Sequence, residues 1–420
     1  MTHTMIDCQG LVGAWTLGGV QAGLELVHRV SLGAFGDEIV ESNRHLLGHN
    51  WTQDTGVDSS QWEPKQAAVM IGTPPCSGFS LLNRSKKENA RGPRSAINHC
   101  MWELVKYAGK CTGEDGERGP EIVSFESVQG AGKLGRDLMR MLRDELDSLT
   151  GQSYSLTHVF CSGATVGAAQ MRHRYYFVLH RIPFGVRTPE RRRVATYIDA
   201  IGDLVGLEQT WDAQNVIADD ERDWWLREQG IVPNLGTGST RTVDAHISLD
   251  KGRDIEVLLR DLVPYWPAGK DLAFAMRAHR DATGDFPEVA RKWWNYEMDE
   301  MRGFHHPTRI HPDKSGYVLT GGCVEAFIHW SEPRMLSVRE CARLMGFPDD
   351  WSFDVCSTVK KAGMYIGKCC PVNTGKWIAE EFVNALDGHA APSSELVGDR
   401  EYEHNSTLLY KPWLREQRGW

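Results

Sequence analysis

The chain has 420 residues, 41% of them hydrophobic and 25% charged, and a formal net charge of −9. This composition indicates an ordinary globular protein, with chain enough for two compact domains or one large elaborated domain. We expect no secretory signal, because no basic segment precedes an apolar one near the N-terminus, and no membrane span. Ten cysteines without CxxC pairs argue against a disulfide scaffold or structural zinc and favour reduced thiols in the cytoplasm. The negative charge excludes nucleic-acid binding by bulk charge alone, although it leaves a local basic cleft open.

Predicted strands and helices alternate over the first 180 residues. The strands are predicted at 4–10, 34–40, 67–76, 121–128 and 175–179, and the helices at 97–109 and 134–147. Polar residues follow several of the strands. This pattern is typical of a doubly wound α/β sheet with its site at the carboxyl edge of the strands.

The pattern changes after about residue 186, where charged residues and tryptophans become more frequent and the alternation stops. We interpret 186–335 as a second domain or a large insertion, followed by amphipathic helices within 336–347 and 371–386. Segment 336–390 is predicted to return to the first domain. The polar tail 391–420 is expected to be loosely docked, with its last aromatic residues partly packed.

Four places carry residues suited to chemistry. Cys76 follows a buried strand in a tight turn, which is the posture of a nucleophile, although most free cysteines are small core residues. Glu126 closes an apolar strand, where a solvated acid is the simpler interpretation. Arg172 and Arg174 alternate on one strand face, as an anionic or carbonyl partner requires and as a structural ion-pair network also would. The fourth place is the segment 333–351.

In order and spacing, these segments resemble the cytosine-C5 DNA methyltransferase family over most of the chain outside 186–310. PPCSGFS resembles the family's Pro-Cys loop, FESV stands at its Glu-Asn-Val, and QMRHR matches its Gln-x-Arg-x-Arg strand. Further similar segments are DAIGDL (199–204), TRIHPDK (308–314), PRMLSVRECARLMGFPDDW (333–351) and IGKCCPV (366–372). The resemblance implies a Rossmann-like class I methyltransferase sheet with a smaller target-recognition domain at 186–335.

The resemblance also implies a mechanism. A cytosine is flipped out of the duplex, because C5 and C6 are unreachable inside the stack. The Cys76 thiolate adds to C6, Glu126 holds and protonates N3, and Arg172 hydrogen-bonds O2. Arg174, also placed in the catalytic set, is expected to order the loop or bind a phosphate. We expect a neighbouring arginine and free N–H groups to lower the pKa of the thiol.

The implied donor is S-adenosylmethionine, and its pocket departs from the family pattern. The first motif reads DCQGLVGA, in which Gln9 replaces an aromatic residue and one glycine has moved. Glu38 fits the acid that takes the ribose hydroxyls, and Asp54, preferred over Asp58, is expected to meet the adenine amine. Ser127 replaces the asparagine after the catalytic glutamate. The expected donor residues are Asp7, Gln9, Gly13, Trp15, Glu38, Asp54, Pro75, Gly367 and Lys368.

Lys368 stands where the family has asparagine, beside the sulfonium end of the donor. A second cation there is unfavourable unless an anion lies between them, which carboxy-S-adenosylmethionine would supply. The product would then be 5-carboxymethylcytosine. The alternative is that Lys368 faces solvent, a phosphate or an acid, and that the donor is the ordinary one.

The implied partner is double-stranded DNA, bound by a monomer that needs no metal and is encoded by a prokaryote or a virus. Expected DNA contacts are Ser80, Gln170, Arg191 and Arg192, although the basic run at 187–193 also fits a solvated face. The tryptophan pairs at 224–225 and 293–294 fit core packing better than base stacking. A catalytically silent DNA-binding relative, a tRNA methyltransferase and an enzyme acting on free nucleotides are the alternatives.

Overall fold

The computed structural model describes most of the chain. Its described residues are 2–31, 36–80, 92–113, 119–190, 193–205, 261–286, 294–295, 300–301, 307–321, 326–332, 334–356, 359–392 and 394–406. The chain divides into two compact units. The first comprises 1–194 and 369–420, and the second comprises 195–368. These limits differ from the expected 185/186 and 335/336, because 336–368 packs with the second unit.

Helices and strands alternate along the first part of the chain. In order they are β1 (His3–Cys8), α1 (Ala14–Gln21), β2 (Leu24–Ser31), α2 (Asp37–Ser42), α3 (Arg44–Leu47), β3 (Thr52–Thr55), β4 (Val69–Gly72), α4 (His99–Lys110), β5 (Ile122–Ser127), α5 (Gln129–Leu134), α6 (Arg136–Thr150), β6 (Ser155–Ser162) and β7 (His173–His180). The elements of the second unit are α7 (Tyr197–Ile201), α8 (Leu272–Thr283), β8 (Trp294–Asn295), β9 (Glu300–Met301), β10 (Thr308–Arg309), β11 (Phe327–Ile328), α9 (Val338–Leu344) and α10 (Val359–Lys368). The chain then returns to the first unit with α11 (Val372–Leu386), β12 (Glu395–Gly398) and β13 (Glu401–Asn405).

Nine strands form the sheet of the first unit, in the order β12-β13-β6-β7-β5-β4-β1-β2-β3. Strands β3, β2, β1, β4 and β5 are parallel, and β7 runs antiparallel between β5 and β6. This mostly parallel sheet, with helices α1, α4, α6 and α11 joining its strands, confirms the predicted α/β fold. The parallel strands end at one edge, and the loops after β1, β4 and β5 therefore meet there.

The predicted strand at 34–40 is wrong. The second strand is β2, in which buried Leu24 and Leu26 flank exposed Glu25, and residues 37–42 form helix α2. Asp37 and Glu38 occupy the first turn of α2, where acidic side chains interact favourably with the helix dipole. Gly36 precedes them with a φ of 85°, a backbone conformation that suits glycine.

Two helices of the first unit pack closely through glycines. A Cβ on Gly18 of α1 would lie 2.5 Å from the backbone nitrogen of Lys376, and one on Gly375 of α11 would lie 2.7 Å from Trp15. No larger residue fits at either position without moving a helix. The contact holds the returning helix α11 against α1, which follows the first motif.

The C-terminal segment is part of the main sheet rather than a loosely docked tail. β12 and β13 form an antiparallel hairpin, and β13 pairs in parallel with β6. Buried Glu401 of β13 accepts hydrogen bonds from Arg140 Nε (2.8 Å) and is joined to His158 Nε2 (2.7 Å). The hairpin therefore extends the sheet beyond β6. Residues 407–420, with the last aromatics, lie outside the described residues.

The second unit has a core of its own. Its members are Leu262, Trp266, Leu272, Ala275, Met276, Phe286, Trp294, Ile328 and Met335. Trp294 is fully buried, which agrees with core packing for that residue, while 224–225 and Trp293 lie outside the described residues. Helix α9 lies where the amphipathic pattern predicted a helix. It begins with a capping box between Ser337 and Glu340. Among the helices described in either unit, none is both long and apolar enough to cross a membrane.

Candidate active site

Cys76 lies in a tight turn at the carboxyl edge of the sheet. It follows β4 and directly precedes a 3₁₀ turn at Ser77–Phe79. Two close approaches fix this turn: a Cβ on Gly130 of α5 would lie 2.3 Å from the Phe79 carbonyl oxygen, and one on Gly78 would lie 2.8 Å from Ser95 Cβ. The Cys76 backbone is therefore held firmly while its side chain stays partly accessible.

Glu126 comes to the same edge on the neighbouring strand β5. It is buried and forms an ion pair with Arg174 of β7. Burial raises the pKa of the Glu126 carboxyl, and the charges of Arg174 and Arg172 oppose that shift without cancelling it. A carboxyl with a raised pKa can retain a proton and donate it to a bound base.

Both arginines are buried beside this carboxyl. Arg174 Nη1 donates to the His173 carbonyl (2.9 Å) and Nη2 to the Cys369 carbonyl (3.4 Å), in addition to the Glu126 pair. This places Arg174 on the Glu126 carboxyl, whereas we expected it to order a loop or bind a phosphate. Burial and the charge of Arg174 lower the pKa of Arg172 to about 10, so Arg172 remains a cation at neutral pH.

The pKa of the Cys76 thiol is raised, which corrects our expectation. Burial is the largest cause, and the Glu126 charge adds to it. Arg174 and Arg172 lower the pKa, as expected of neighbouring arginines, but they do not overcome burial. The thiol is therefore protonated at neutral pH in the free protein.

The first motif forms a buried loop between β1 and α1. The Asp7 carboxylate accepts hydrogen bonds from Thr16 Oγ1 (2.8 Å) and Arg29 Nε (3.3 Å). Gly13 precedes α1 with a φ of 78°. Trp15 is buried edge-on against Tyr176, with ring centroids 4.9 Å apart. Its indole therefore packs in the interior of the unit.

Buried polar atoms in this loop fit a polar ligand. Gln9 is 3% exposed, and neither its amide oxygen nor its amide nitrogen has a hydrogen-bond partner among the described residues. Asp7 Oδ1 and Trp15 Nε1, on either side of the loop, are also buried without a hydrogen-bond partner among the described residues. Leaving such atoms unsatisfied costs about 1–3 kcal/mol each. A nucleoside with hydrogen-bonding groups would offset that cost, so the loop suits the donor implied by the sequence.

The two acids expected at the nucleoside lie in different settings. Glu38 is half-buried in α2, and it is the preceding residue, Asp37, that contacts Ser31 and Arg29 of β2. Asp54 of β3 accepts a hydrogen bond from the Glu63 backbone (2.6 Å), so its carboxylate orders its own loop. Asp58 is exposed and caps the turn at Ser59–Gln61.

The remaining donor residues divide between the two units. Pro75 is half-buried next to Cys76 in the first unit. Gly367 belongs to the second unit, where a Cβ would lie 1.7 Å from the Thr320 carbonyl oxygen. Lys368 is the exposed last residue of α10 in that unit.

The residues expected to contact DNA differ in how accessible their side chains are. Ser80 is half-buried beyond the nucleophile turn, whereas Gln170 is fully buried, a position that does not suit a direct DNA contact. Arg191 and Arg192 lie outside the described residues. Arg187, at the start of the basic run, is paired with Glu381 of α11 at 2.6 Å and so has a structural partner.

Arg29 is the main residue at this edge that sequence reasoning missed. It is buried in β2, where β-sheet register places it beside Asp7 and Gln53. The only signal in the sequence was an arginine within the apolar end of a strand, where an unpaired charge is costly. The described residues include no cluster of three or more groups able to bind a metal ion.

Comparison with known proteins identifies the family. The family model for C-5 cytosine-specific DNA methylases matches residues 12–384. The type II methyltransferase M.XorII of Xanthomonas oryzae is 23% identical over 430 aligned positions, which cover 93% of this chain and 87% of that protein. The type II methyltransferase M1.HphI of Haemophilus parahaemolyticus is 23% identical over 294 positions, and the match spans 61% of its length.

A solved structure supports the fold. It is described as a prophage-encoded DNA modification methyltransferase from E. coli, and it is similar over 92% of this chain and 99% of its own, with a TM-score of 0.57 and 18% sequence identity. The family model spans most of the chain, including Cys76, Glu126, Arg172 and Arg174. The chain therefore belongs to the C-5 cytosine-specific DNA methylase family.

Proposed function

We propose that the protein is a DNA cytosine-C5 methyltransferase that acts through a covalent bond between Cys76 and C6 of a flipped cytosine. The observation that carries this proposal is the grouping of a fixed cysteine, a buried carboxyl with a raised pKa and two buried arginines at one sheet edge. Family membership supports the same reaction.

The side chains divide the work as follows. Cys76 adds to C6 as a thiolate, and Glu126 hydrogen-bonds N3 and supplies a proton there, so that C5 becomes nucleophilic. Arg172 stabilises the charge that develops on O2, and Arg174 holds the Glu126 carboxyl in place. After alkyl transfer, loss of the C5 proton allows the Cys76–C6 bond to break and restores the aromatic ring.

The donor when bound supplies an electrophilic carbon attached to a sulfonium. In our proposal the loop at 7–13, Trp15 and Pro75 hold it together with an acid after β2; Gly367 and Lys368, which the resemblance also implies at the donor, belong to the second unit. Two donors are in question: S-adenosylmethionine, which the family implies, and carboxy-S-adenosylmethionine, which the ammonium of Lys368 would suit. The second unit is proposed to recognise the DNA target.

Nucleoside mass spectrometry tests the reaction and the donor together. Purified protein is incubated with DNA of mixed sequence and both donors, and the DNA is digested to nucleosides. A cytosine heavier by a methyl group supports the ordinary donor, and one heavier by a carboxymethyl group supports carboxy-S-adenosylmethionine. Cys76→Ser should abolish either product. Unmodified cytosine, together with no covalent complex on duplexes of mixed sequence containing 5-fluorocytosine, would overturn the proposal in favour of a silent relative.

The contribution of Lys368 is tested by Lys368→Asn, which restores the family residue. If Lys368 selects the carboxylated donor, the ratio of carboxymethyl to methyl product should fall about tenfold or more, the loss of roughly one charge-assisted contact. Lys361→Asn, on the same helix, is the matched control. An unchanged ratio would refute a role of Lys368 in donor choice. Replacing the DNA by tRNA in the same assay separates the two nucleic-acid substrates.

A further inference from the structure

The loop of the first motif adopts a backbone conformation that its own residues do not favour. Gln9 and Leu11 have φ values of 60° and 50°, in the left-handed region where a side chain collides with the backbone. Such a conformation is unfavourable for residues with a side chain, and strain of this kind persists only where the surroundings impose it.

Strand β2 imposes this conformation through two adjacent residues. The Val30 carbonyl accepts a hydrogen bond from the Gln9 backbone N–H (2.7 Å), and Arg29 Nη2 donates to the Leu11 carbonyl (3.0 Å). Each of the two left-handed residues therefore has a direct hydrogen bond to β2.

The Arg29 guanidinium is fixed from every side. Its Nε donates to Asp7, and its Nη1 donates to Asp37 Oδ1 (2.7 Å) and Gln53 Oε1 (2.9 Å). Arg29 is 1% exposed, so its planar group, which donates to strands β1 and β3, helix α2 and the loop, is held in one geometry. Lysine, with a single nitrogen, cannot reproduce this set of bonds.

We propose that Arg29 is a positioning residue for the donor: it clamps the loop at 9–11, with Gln9 and Leu11 in the left-handed conformation, so that the buried Gln9 amide is left for the bound donor. Arg29 itself need not touch the donor. The two unsatisfied amide atoms of Gln9 are then the groups that the clamp presents, and their desolvation cost is offset only on binding. This inference rests on the proposed function, because it assumes that the loop binds a sulfonium nucleoside.

The test measures donor affinity by isothermal titration calorimetry with S-adenosylmethionine and, separately, carboxy-S-adenosylmethionine. Arg29→Lys should weaken binding of whichever donor the wild type takes by about tenfold or more, while DNA affinity stays within about twofold, since only the loop is released. Adding Leu11→Gly should restore most of the loss, because glycine adopts a positive φ without strain. Arg143→Lys is the matched control, a buried arginine paired with Asp144 on α6.

Leu11→Val provides a second route if Arg29→Lys does not fold. Leu11 is only half-buried, and a β-branched residue tolerates a positive φ poorly, so this variant should fold and bind donor about tenfold more weakly. Unchanged affinity in Arg29→Lys or in Leu11→Val, or a loss in Arg29→Lys that Leu11→Gly does not restore, would overturn the clamp. A wild-type protein that binds neither donor would instead overturn the proposed function.

Discussion

At the scale of single residues, the site combines a thiol and a carboxyl whose pKa values are both above their ordinary values. Burial raises the pKa of both Cys76 and Glu126. The positive charges of Arg172 and Arg174 lower both pKa values and so reduce the effect of burial on Cys76 and Glu126. A thiol with a raised pKa holds little thiolate at neutral pH, so Cys76 is expected to be a weak nucleophile in the free protein.

The raised thiol pKa predicts how Cys76 reacts with an alkylating agent. Its modification by iodoacetamide, followed by peptide mass spectrometry, should accelerate with pH and reach its midpoint above about 8.5, the ordinary cysteine value. Glu126→Gln should move the midpoint down, because the carboxylate charge raises the thiol pKa. A wild-type midpoint below about 8.5 would contradict the raised pKa.

The candidate catalytic residues could be identified from the sequence, whereas the residues that hold the neighbouring loop in place could not. Cys76 follows a strand, Glu126 lies near the end of one, and the arginines at 172 and 174 stand at the start of one. The apolar runs of these strands are visible in the sequence, so the residues at their ends could be identified. Arg29 could not, because its partners Asp7 and Gln53 become neighbours only through strand register. Nor could the thiol pKa, since burial depends on packing that local sequence does not contain.

At the scale of elements, charged side chains fasten helices to the loops beneath them. Glu103 of α4 accepts hydrogen bonds from the Ser59 backbone N–H (3.0 Å) and hydroxyl (2.6 Å) and from Lys106 Nζ (2.8 Å). Burial alone would raise the pKa of Glu103, but the hydrogen bonds from Lys106 and Ser59 prevail and lower it to about 2.

This depressed pKa predicts a pH-dependent contribution to folding. Because the folded pKa lies below the unfolded value of about 4.3, the carboxylate stabilises the fold above pH 4.3 and loses that effect as the pH falls toward 2. Glu103→Gln should lower the free energy of unfolding by about 2 kcal/mol at pH 7, and the difference should shrink below pH 4. Urea unfolding at several pH values measures it, with exposed Glu395→Gln as control. A difference independent of pH would contradict the assignment.

Glu401 is expected to secure the C-terminal hairpin. It is buried beside His158 and paired with the partly exposed Arg140 and Arg136, and removing the partner of a buried hydrogen-bonding group costs about 1–3 kcal/mol. Glu401→Ala should therefore lower the free energy of unfolding by about that amount in urea titrations. Glu395→Ala, at the exposed outer strand, should change it by less than about 0.5 kcal/mol. Equal effects of the two variants would mean that the hairpin is not held by this network.

Element types were predicted well where periodicity was long and poorly where it was short. The amphipathic run at 134–147 corresponds to α6, and the amphipathic segment 336–347 contains α9. The segment 34–40 was misread because a few apolar residues beside acids fit a strand or the first turns of a helix equally. The hairpin at 395–405 was missed since its strands are short and polar, and pairing with β6 decides their structure.

At the scale of the whole molecule, two units with separate cores share one chain. Trp294 is completely buried in the second unit, against Phe286 with ring centroids 4.9 Å apart. The nine-stranded sheet and the loop at 7–13 belong to the first unit. In our proposal the catalytic residues and the donor loop therefore lie in the first unit, and target recognition belongs to the second.

This division predicts that the two binding activities can be separated. Trp294→Ala removes a core side chain at a cost of about 3–5 kcal/mol, which should loosen the second unit. We expect DNA affinity to fall by tenfold or more, while donor affinity stays within about twofold. Calorimetry for the donor and fluorescence anisotropy for a DNA duplex measure the two. A parallel loss of both would show that the units do not act separately. Phe274→Ala, partly exposed on α8, is the control.

The position of the C-terminal hairpin has a practical consequence for solubility. The family match stops at residue 384, but strands β12 and β13 lie beyond it and cover the outer side of β6. A chain trimmed to the family limits would leave the backbone N–H and C=O groups on the outer side of β6 unpaired, along a strand that is almost entirely buried. Such an edge is a template for strands of other molecules. Strands β12 and β13 are therefore expected to protect the sheet from aggregation. Among the described residues the sheet ends at β12, a short strand that carries the exposed Glu395.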